Sequence, residues 1–220
     1  MIKAIIFDFD GTIIDTETPW YYAFRNAYEE HGVELSLEQY SECVGTSHHA
    51  FNPYEYLMTE LNLPIDKEEF HRRIHNDHAR LMEQQGIREG VLEYLEAAKA
   101  AGMRIGLASS SRRKWIDRYL SQLKLADCFE VICTADDVDQ VKPDPALYKM
   151  AVKGLGVKPE EAVAIEDSPN GAKAAVAAGL ACIIVPNALT NLLQFDEAER
   201  CKYGQSLMDI DFNEVAAGRF

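Results

Sequence analysis

The chain has 220 residues, 47% of them hydrophobic and 26% charged, enough to bury one substantial core and a small accessory domain. Its net charge of −14 argues against DNA or RNA as a partner, because nucleic-acid affinity rests on neutralising phosphates with basic patches. No apolar run reaches the length of a membrane span, and Met1 leads directly into the first apolar run, so a cytoplasmic chain without a membrane partner is expected.

The first element is an apolar run, Ile5, Ile6 and Phe7, that ends in Asp8, Phe9, Asp10, Gly11 and Thr12. Branched and aromatic residues stopping at a turn signal read as a buried parallel strand, and ligands in open α/β sheets bind outside the carboxyl ends of such strands. Period-two geometry points the Asp8 and Asp10 carboxylates to one side, close enough to share a metal ion or to divide nucleophile and acid/base roles. A DxD before glycine also occurs in solvated turns, and the pair alone leaves both readings open.

After Thr16 the pattern turns helical. Trp20, Ala23, Phe24, Ala27 and Tyr28 recur at three- and four-residue spacing, with Gly32 as the stop. Further helical segments over residues 37–43, 54–61 and 67–82, bracketed by Gly86 and Gly90, make residues 17–86 a helical insert. Tyr21 and Tyr22 are expected to pack inside it. His71, His75 and His78 share helical spacing, but Arg72, Arg73, Asn76 and Asp77 surround them, so a solvated helix face is expected rather than zinc. His48 and His49 follow the turn Val44, Gly45, Thr46, Ser47; a substrate contact at His48 and an ordinary helix start capped by Ser47 both fit.

From there helices over residues 91–101, 114–123, 145–155 and 171–178 alternate with strands over 104–108, 131–135, 163–165 and 182–185. Such alternation means a doubly wound parallel sheet, an α/β fold of Rossmann-like type. Gly154 and Gly156 are read as helix caps, since they follow no strand. The five cysteines show no CxxC spacing, and Cys133 and Cys182 are expected as small buried hydrophobes.

Three of the core segments carry chemistry. The strand over 104–108 ends in Ser109, Ser110 and Ser111 and opens a helix whose start holds Arg112, Arg113 and Lys114; hydroxyls and backbone N–H groups at a helix start bind phosphate oxygens. Lys142 stands before Pro143 in a loop stiffened by two prolines, which suits a fixed cation. Residues 162–165 end in Glu166 and Asp167, followed by Ser168, Pro169, Asn170 and Gly171, so the pattern of a strand delivering acid repeats.

DFDGT with Asp15 and Thr16 behind it, Ser109 after a strand, Lys142 before a proline and EDSPNG, in that order, resemble the haloacid dehalogenase superfamily. Within it the chain is similar to the capped phosphatases and β-phosphoglucomutases. The resemblance implies a discontinuous catalytic core over residues 1–16 and 87–220 with a cap over 17–86. It implies that Asp8 is the nucleophile and forms an aspartyl-phosphate, while Asp10 protonates the leaving oxygen and later deprotonates water. Mg²⁺ would be held by Asp8, the backbone carbonyl of Asp10, Glu166 and Asp167. Thr12, Ser109, Ser110, Lys142 and His48 would contact a small phosphorylated metabolite, with Ser109 and Lys142 also serving catalysis. β-Phosphoglucomutases place a histidine a few residues after the DT pair and an arginine after the cap glycine turn; this chain has Trp20 at the first place and His48 and His49 at the second. A phosphatase is therefore expected, with a sugar phosphomutase as the alternative; nothing in the sequence suggests an obligate partner, so a monomer is the default expectation.

Overall fold

The computed structural model describes residues 1–44 and 51–220. The expected His48 contact and the Ser47 cap fall outside the described residues.

Six described strands, β1 (Ala4–Phe7), β2 (Arg104–Ala108), β3 (Val131–Cys133), β4 (Ala162–Glu166), β5 (Ala181–Ile184) and β6 (Cys201–Tyr203), pair in parallel in the order β3-β2-β1-β4-β5-β6. Alternation along each strand feeds two apolar clusters. Ile5, Phe7, Val163 and Ile165 pack against residues of α5 (Val91–Ala100) and α6 (Arg113–Gln122) on one face. Ala4, Ile6, Ala162 and Ala164 face α7 (Ala146–Leu155) and α8 (Pro169–Ala177) on the other, where alanines on strand and helix allow close approach. The strand order reverses between β1 and β4, so a crevice opens above their carboxyl ends.

The insert contains α1 (Glu17–Glu29), α2 (Leu37–Ser41), α3 (Tyr56–Thr59) and α4 (Lys67–Met82), with an apolar cluster of its own built on Phe24, Tyr28, Leu57, Phe70 and Ile74. Asp66 caps α4 by accepting from the Glu69 N–H at 2.8 Å. Leu189, from the loop after β5, joins this cluster and couples insert to sheet. At the crossing, Ile14 bridges Ile87 in antiparallel fashion. Arg88 donates to the carbonyls of Gly11, Val185 and Pro186, pinning both crossing strands to the sheet.

Several expectations need correction. His78 is buried, stacked on Trp20 with ring centroids 3.6 Å apart, so α4 does not present its three histidines on one solvated face. Tyr22 is 42% exposed, because it lies across α1 from the stripe that buries Tyr21. Gly154 lies inside α7, where a Cβ would come within 3.0 Å of Val131; only Gly156, with φ +67°, is the cap. β3 stops at Cys133, since Thr134 opens the short turn Ala135–Asp137 through a capping box with Asp137. β6 and α9 (Phe212–Ala216), both unforeseen, complete the core. No described helix is long and apolar enough to cross a membrane. Cys133 and Cys182 are buried in the alanine-rich cluster as expected.

Candidate active site

Register builds the site. Phe7 pairs with Ile165, and the Asp8 N–H donates to the Ile165 carbonyl at 2.9 Å, which sets Asp8 beside Glu166 at the reversal of the sheet. Asp8, Glu166 and Asp167 are all buried, and each offers an oxygen within 4.8 Å of the others. Two glycines make room. A Cβ on Gly171 would lie 1.9 Å from Glu166 Oε2, and one on Gly11, at φ +86°, would lie 2.2 Å from Asp167 Oδ2.

The Lys142 ammonium, 5% exposed, donates to Asp8 Oδ1 at 2.5 Å and to Glu166 Oε1 at 2.7 Å. Tyr148 supports it with its ring 4.9 Å away and its hydroxyl on the same Glu166 oxygen. Burial alone would lower the Lys142 pKa, but Asp8 and Glu166 outweigh burial and hold the ammonium protonated. On Asp167 Oδ2 converge the Asn187 amide at 2.9 Å and the Thr190 hydroxyl at 3.3 Å. Thr12, itself buried, donates to Asp167 Oδ1 at 3.4 Å, so its hydroxyl meets the carboxylate cluster and does not line the cavity.

One ammonium faces three buried carboxyl groups. Burial pushes the Asp8 carboxyl up to about 7 despite Lys142, with Glu166 and Asp10 adding to the rise. Burial and the neighbouring Asp8 and Glu166 hold Asp167 well above the usual carboxylate range. Asp8 Oδ2 is buried and has no hydrogen-bond partner. An all-oxygen donor set, an excess of negative charge and an orphaned carboxylate oxygen together fit a hard divalent cation.

Asp10 is held differently. Its Oδ2 accepts from the hydroxyls of Ser111 at 2.7 Å and Ser109 at 3.2 Å, and its Oδ1 accepts from the Trp115 indole N–H at 2.8 Å. Nearby stands Glu17, half-buried at the start of α1; burial, Asp10 and Asp15 push its carboxyl up to about 7. Above these groups opens a cavity of about 690 Å³. Asp8, Asp10, Ser109, Ser110, Lys142 and Asp167 line its floor, while Glu17, Trp20 and Val44 reach it from the insert. Arg112 and Arg113 do not line it, and Arg113 instead pairs with Asp117 at 2.7 Å, so local positive charge comes from Lys142.

Residues 5–185 match the haloacid dehalogenase-like hydrolase family. The chain belongs to that family. It is 49% identical over 197 residues to the Bacillus subtilis (strain 168) protein named "Putative phosphatase YhcW", a similarity covering 90% of this chain and 89% of the relative. To the phosphorylated carbohydrates phosphatase of Thermotoga maritima it is 32% identical over 181 residues, 81% of this chain and 82% of that one. Crystalline CbbY from Rhodobacter sphaeroides, in complex with xylulose-(1,5)bisphosphate, superposes with a TM-score of 0.67 at 30% identity, covering 94% of this chain and 95% of the other. This hydrolase thus sits in the phosphatase and phosphoglucomutase-like branch of its family.

Sequence reasoning missed Glu17, Trp115, Tyr148, Asn187 and Thr190, and it read Ser111 as a phosphate-binding hydroxyl, whereas the structure sets that hydroxyl on Asp10. Ser111 is the last hydroxyl of the run after β2, and Trp115 could have been suspected from its place in the first turn of the following helix. Tyr148, Asn187 and Thr190 reach the acids only through the packing of α7 and of the loop after β5.

Proposed function

We propose that this hydrolase is a Mg²⁺-dependent phosphatase acting on small phosphomonoesters, phosphorylated carbohydrates above all, through an aspartyl-phosphate on Asp8. The observation that carries the reading is Asp8 itself, on the cavity floor, with Lys142 on one carboxylate oxygen and no partner on the other. A carboxylate gripped from one side is oriented for attack on phosphorus. Asp8, Glu166, Asp167 and the Asp10 carbonyl would hold Mg²⁺, which when bound neutralises the carboxylates and the phosphoryl oxygens.

Asp8 attacks phosphorus in line, and Asp10 gives a proton to the departing alcohol. Water then releases phosphate from Asp8, and Asp10 takes the proton back as general base. Lys142, Ser109 and Ser110 present a fixed cation and hydroxyls to the phosphoryl group as it moves. Residues 17–86 act as the cap over the core of residues 1–16 and 87–220, closing on the substrate and controlling water, with hinges near Thr16 and Gly86. The names of the relatives support the substrate class.

The test is inorganic phosphate release from a panel of phosphorylated sugars, sugar alcohols and small acids, run with and without divalent metal. Release from several phosphorylated carbohydrates, dependent on metal and needing no bisphosphate primer, is expected. Primer-dependent interconversion of β-glucose 1-phosphate and glucose 6-phosphate that outpaces release would put the mutase in its place.

A further inference from the structure

We propose that Trp115 is a positioning residue for Asp10, its indole N–H holding one carboxylate oxygen and the Ser111 hydroxyl the other so that Asp10 is aimed for proton transfer. The inference rests on the proton-transfer role given to Asp10 above.

A carboxylate's terminal torsion is broad and roughly two-fold, so donors on one oxygen alone leave the group free to swing. Ser111 and Ser109 both sit on Oδ2. The indole N–H holds Oδ1 at 2.8 Å. Without it the carboxylate is tethered at one end.

Tryptophan suits the task because its N–H only donates and therefore binds only an acceptor. Its orientation is fixed from several directions. Trp115 lies in the first turn of α6, its backbone N–H bonded to the Arg112 carbonyl at 3.0 Å, and its ring packs on Tyr119 at a centroid distance of 4.5 Å. Half-buried against the apolar cluster of the sheet, it also lines the cavity, so one side chain both aims Asp10 and takes the place of water beside it. A wall residue with no part in proton transfer would explain the lining but not the hydrogen bond.

The discriminating measurement is the dependence of kcat/KM on the leaving group. This parameter reports the steps up to departure of the alcohol, where a poor leaving group needs its proton and a good one does not. The unaltered enzyme, Trp115→Phe, Ser111→Ala and Asp10→Asn are compared on an alkyl sugar phosphate and on an activated ester that the unaltered enzyme turns over, acetyl phosphate or p-nitrophenyl phosphate. Trp115→Phe keeps an aromatic ring and loses the N–H. We expect it to lower kcat/KM for the alkyl ester about tenfold to a hundredfold and for the activated ester less than about threefold, a part of what general acid catalysis contributes. Ser111→Ala should split the two esters in the same sense. Equal losses on both esters, or no loss on either, would overturn the proposal. Asp10→Asn separates the two levels: if it splits the esters while Trp115→Phe does not, only the Trp115 assignment falls; if it does not split them, the proton role of Asp10 falls first.

Discussion

The floor of the cavity and the helical insert above it are held by different physics. On the floor, Lys142, Tyr148, Thr12, Asn187 and Thr190 each spend a hydrogen bond on a named carboxylate oxygen, so charge is fixed in place by directional contacts. In the insert, rings pack on rings: Trp20 stacks on His78, Tyr54 stacks on His71 at 4.1 Å, and Phe24 meets Tyr54 edge-on. His71 Nε2 and His78 Nε2 there, and Thr16 Oγ1 at the crossing into it, are buried without a hydrogen-bond partner. A fixed floor suits the constant part of a phosphomonoester, the phosphoryl group. Ring contacts are less directional and tolerate displacement, which would suit the proposed cap as it closes on the variable organic part.

The contrast can be broken hardest at Asp8. Asp8→Asn keeps the shape and loses the proposed nucleophile, so kcat should fall by about 10⁴ or more with the fold intact by circular dichroism. Substantial activity in a preparation free of wild-type protein would defeat the covalent mechanism. Next comes Lys142→Ala, which leaves Asp8 and Glu166 buried without their cation. Chemical denaturation should report a loss of about 3–5 kcal/mol, and a loss below about 1 would mean the floor is not a charge-paired network.

The insert supplies the third. Burial, with His75 adding, pulls the His78 pKa from 6.5 to about 4 although the ring is hydrogen-bonded to the Thr16 backbone. Below pH 6.5 the unfolded chain takes up a proton that the folded one refuses, so stability falls as pH drops toward 4, by about 3 kcal/mol in all. His78→Phe should remove that part of the acid slope, and denaturation midpoints of both proteins from pH 7 to pH 4 would reveal an unchanged slope if the account is wrong. Glu17, between floor and insert, titrates with the opposite sense. With its carboxyl raised from 4.5 to about 7, the unfolded chain releases the proton first, so stability falls as pH rises from 4.5 to 7. Glu17→Gln should gain about 1 kcal/mol at pH 8 and nothing at pH 4, the size being reduced because the residue is only partly shielded from solvent. A gain that is equal at both pH values would assign the effect to something other than ionisation.

What could be read from the chain follows the same division. β2 and α4 begin and end at the residues that the pattern predicts, 104–108 and 67–82, because an apolar run stopping at three serines marks the first and the Asp66 cap with a sustained helical stripe marks the second. Asp8, Asp10, Glu166 and Asp167 were visible because they cluster at the carboxyl ends of two apolar strands. β6 was not: Cys201, Lys202 and Tyr203 form a short edge strand half open to solvent, without the apolar run that marks the others. Trp115 and Asn187 were missed for another reason. Their partners, Asp10 and Asp167, lie 105 and 20 residues away in sequence, and only the completed sheet brings them together. The burial of His78 likewise depends on Trp20 arriving from α1, which no pattern within α4 announces.

The central claim, that Asp8 carries the phosphoryl group, is tested most directly by trapping it. The enzyme is mixed with a turned-over substrate labelled in its phosphate, quenched in acid within one turnover, digested and mapped by mass spectrometry. The account predicts label on the peptide containing Asp8, at that residue, and none in Asp8→Asn. Turnover without a labelled peptide, or label on another residue, would contradict it.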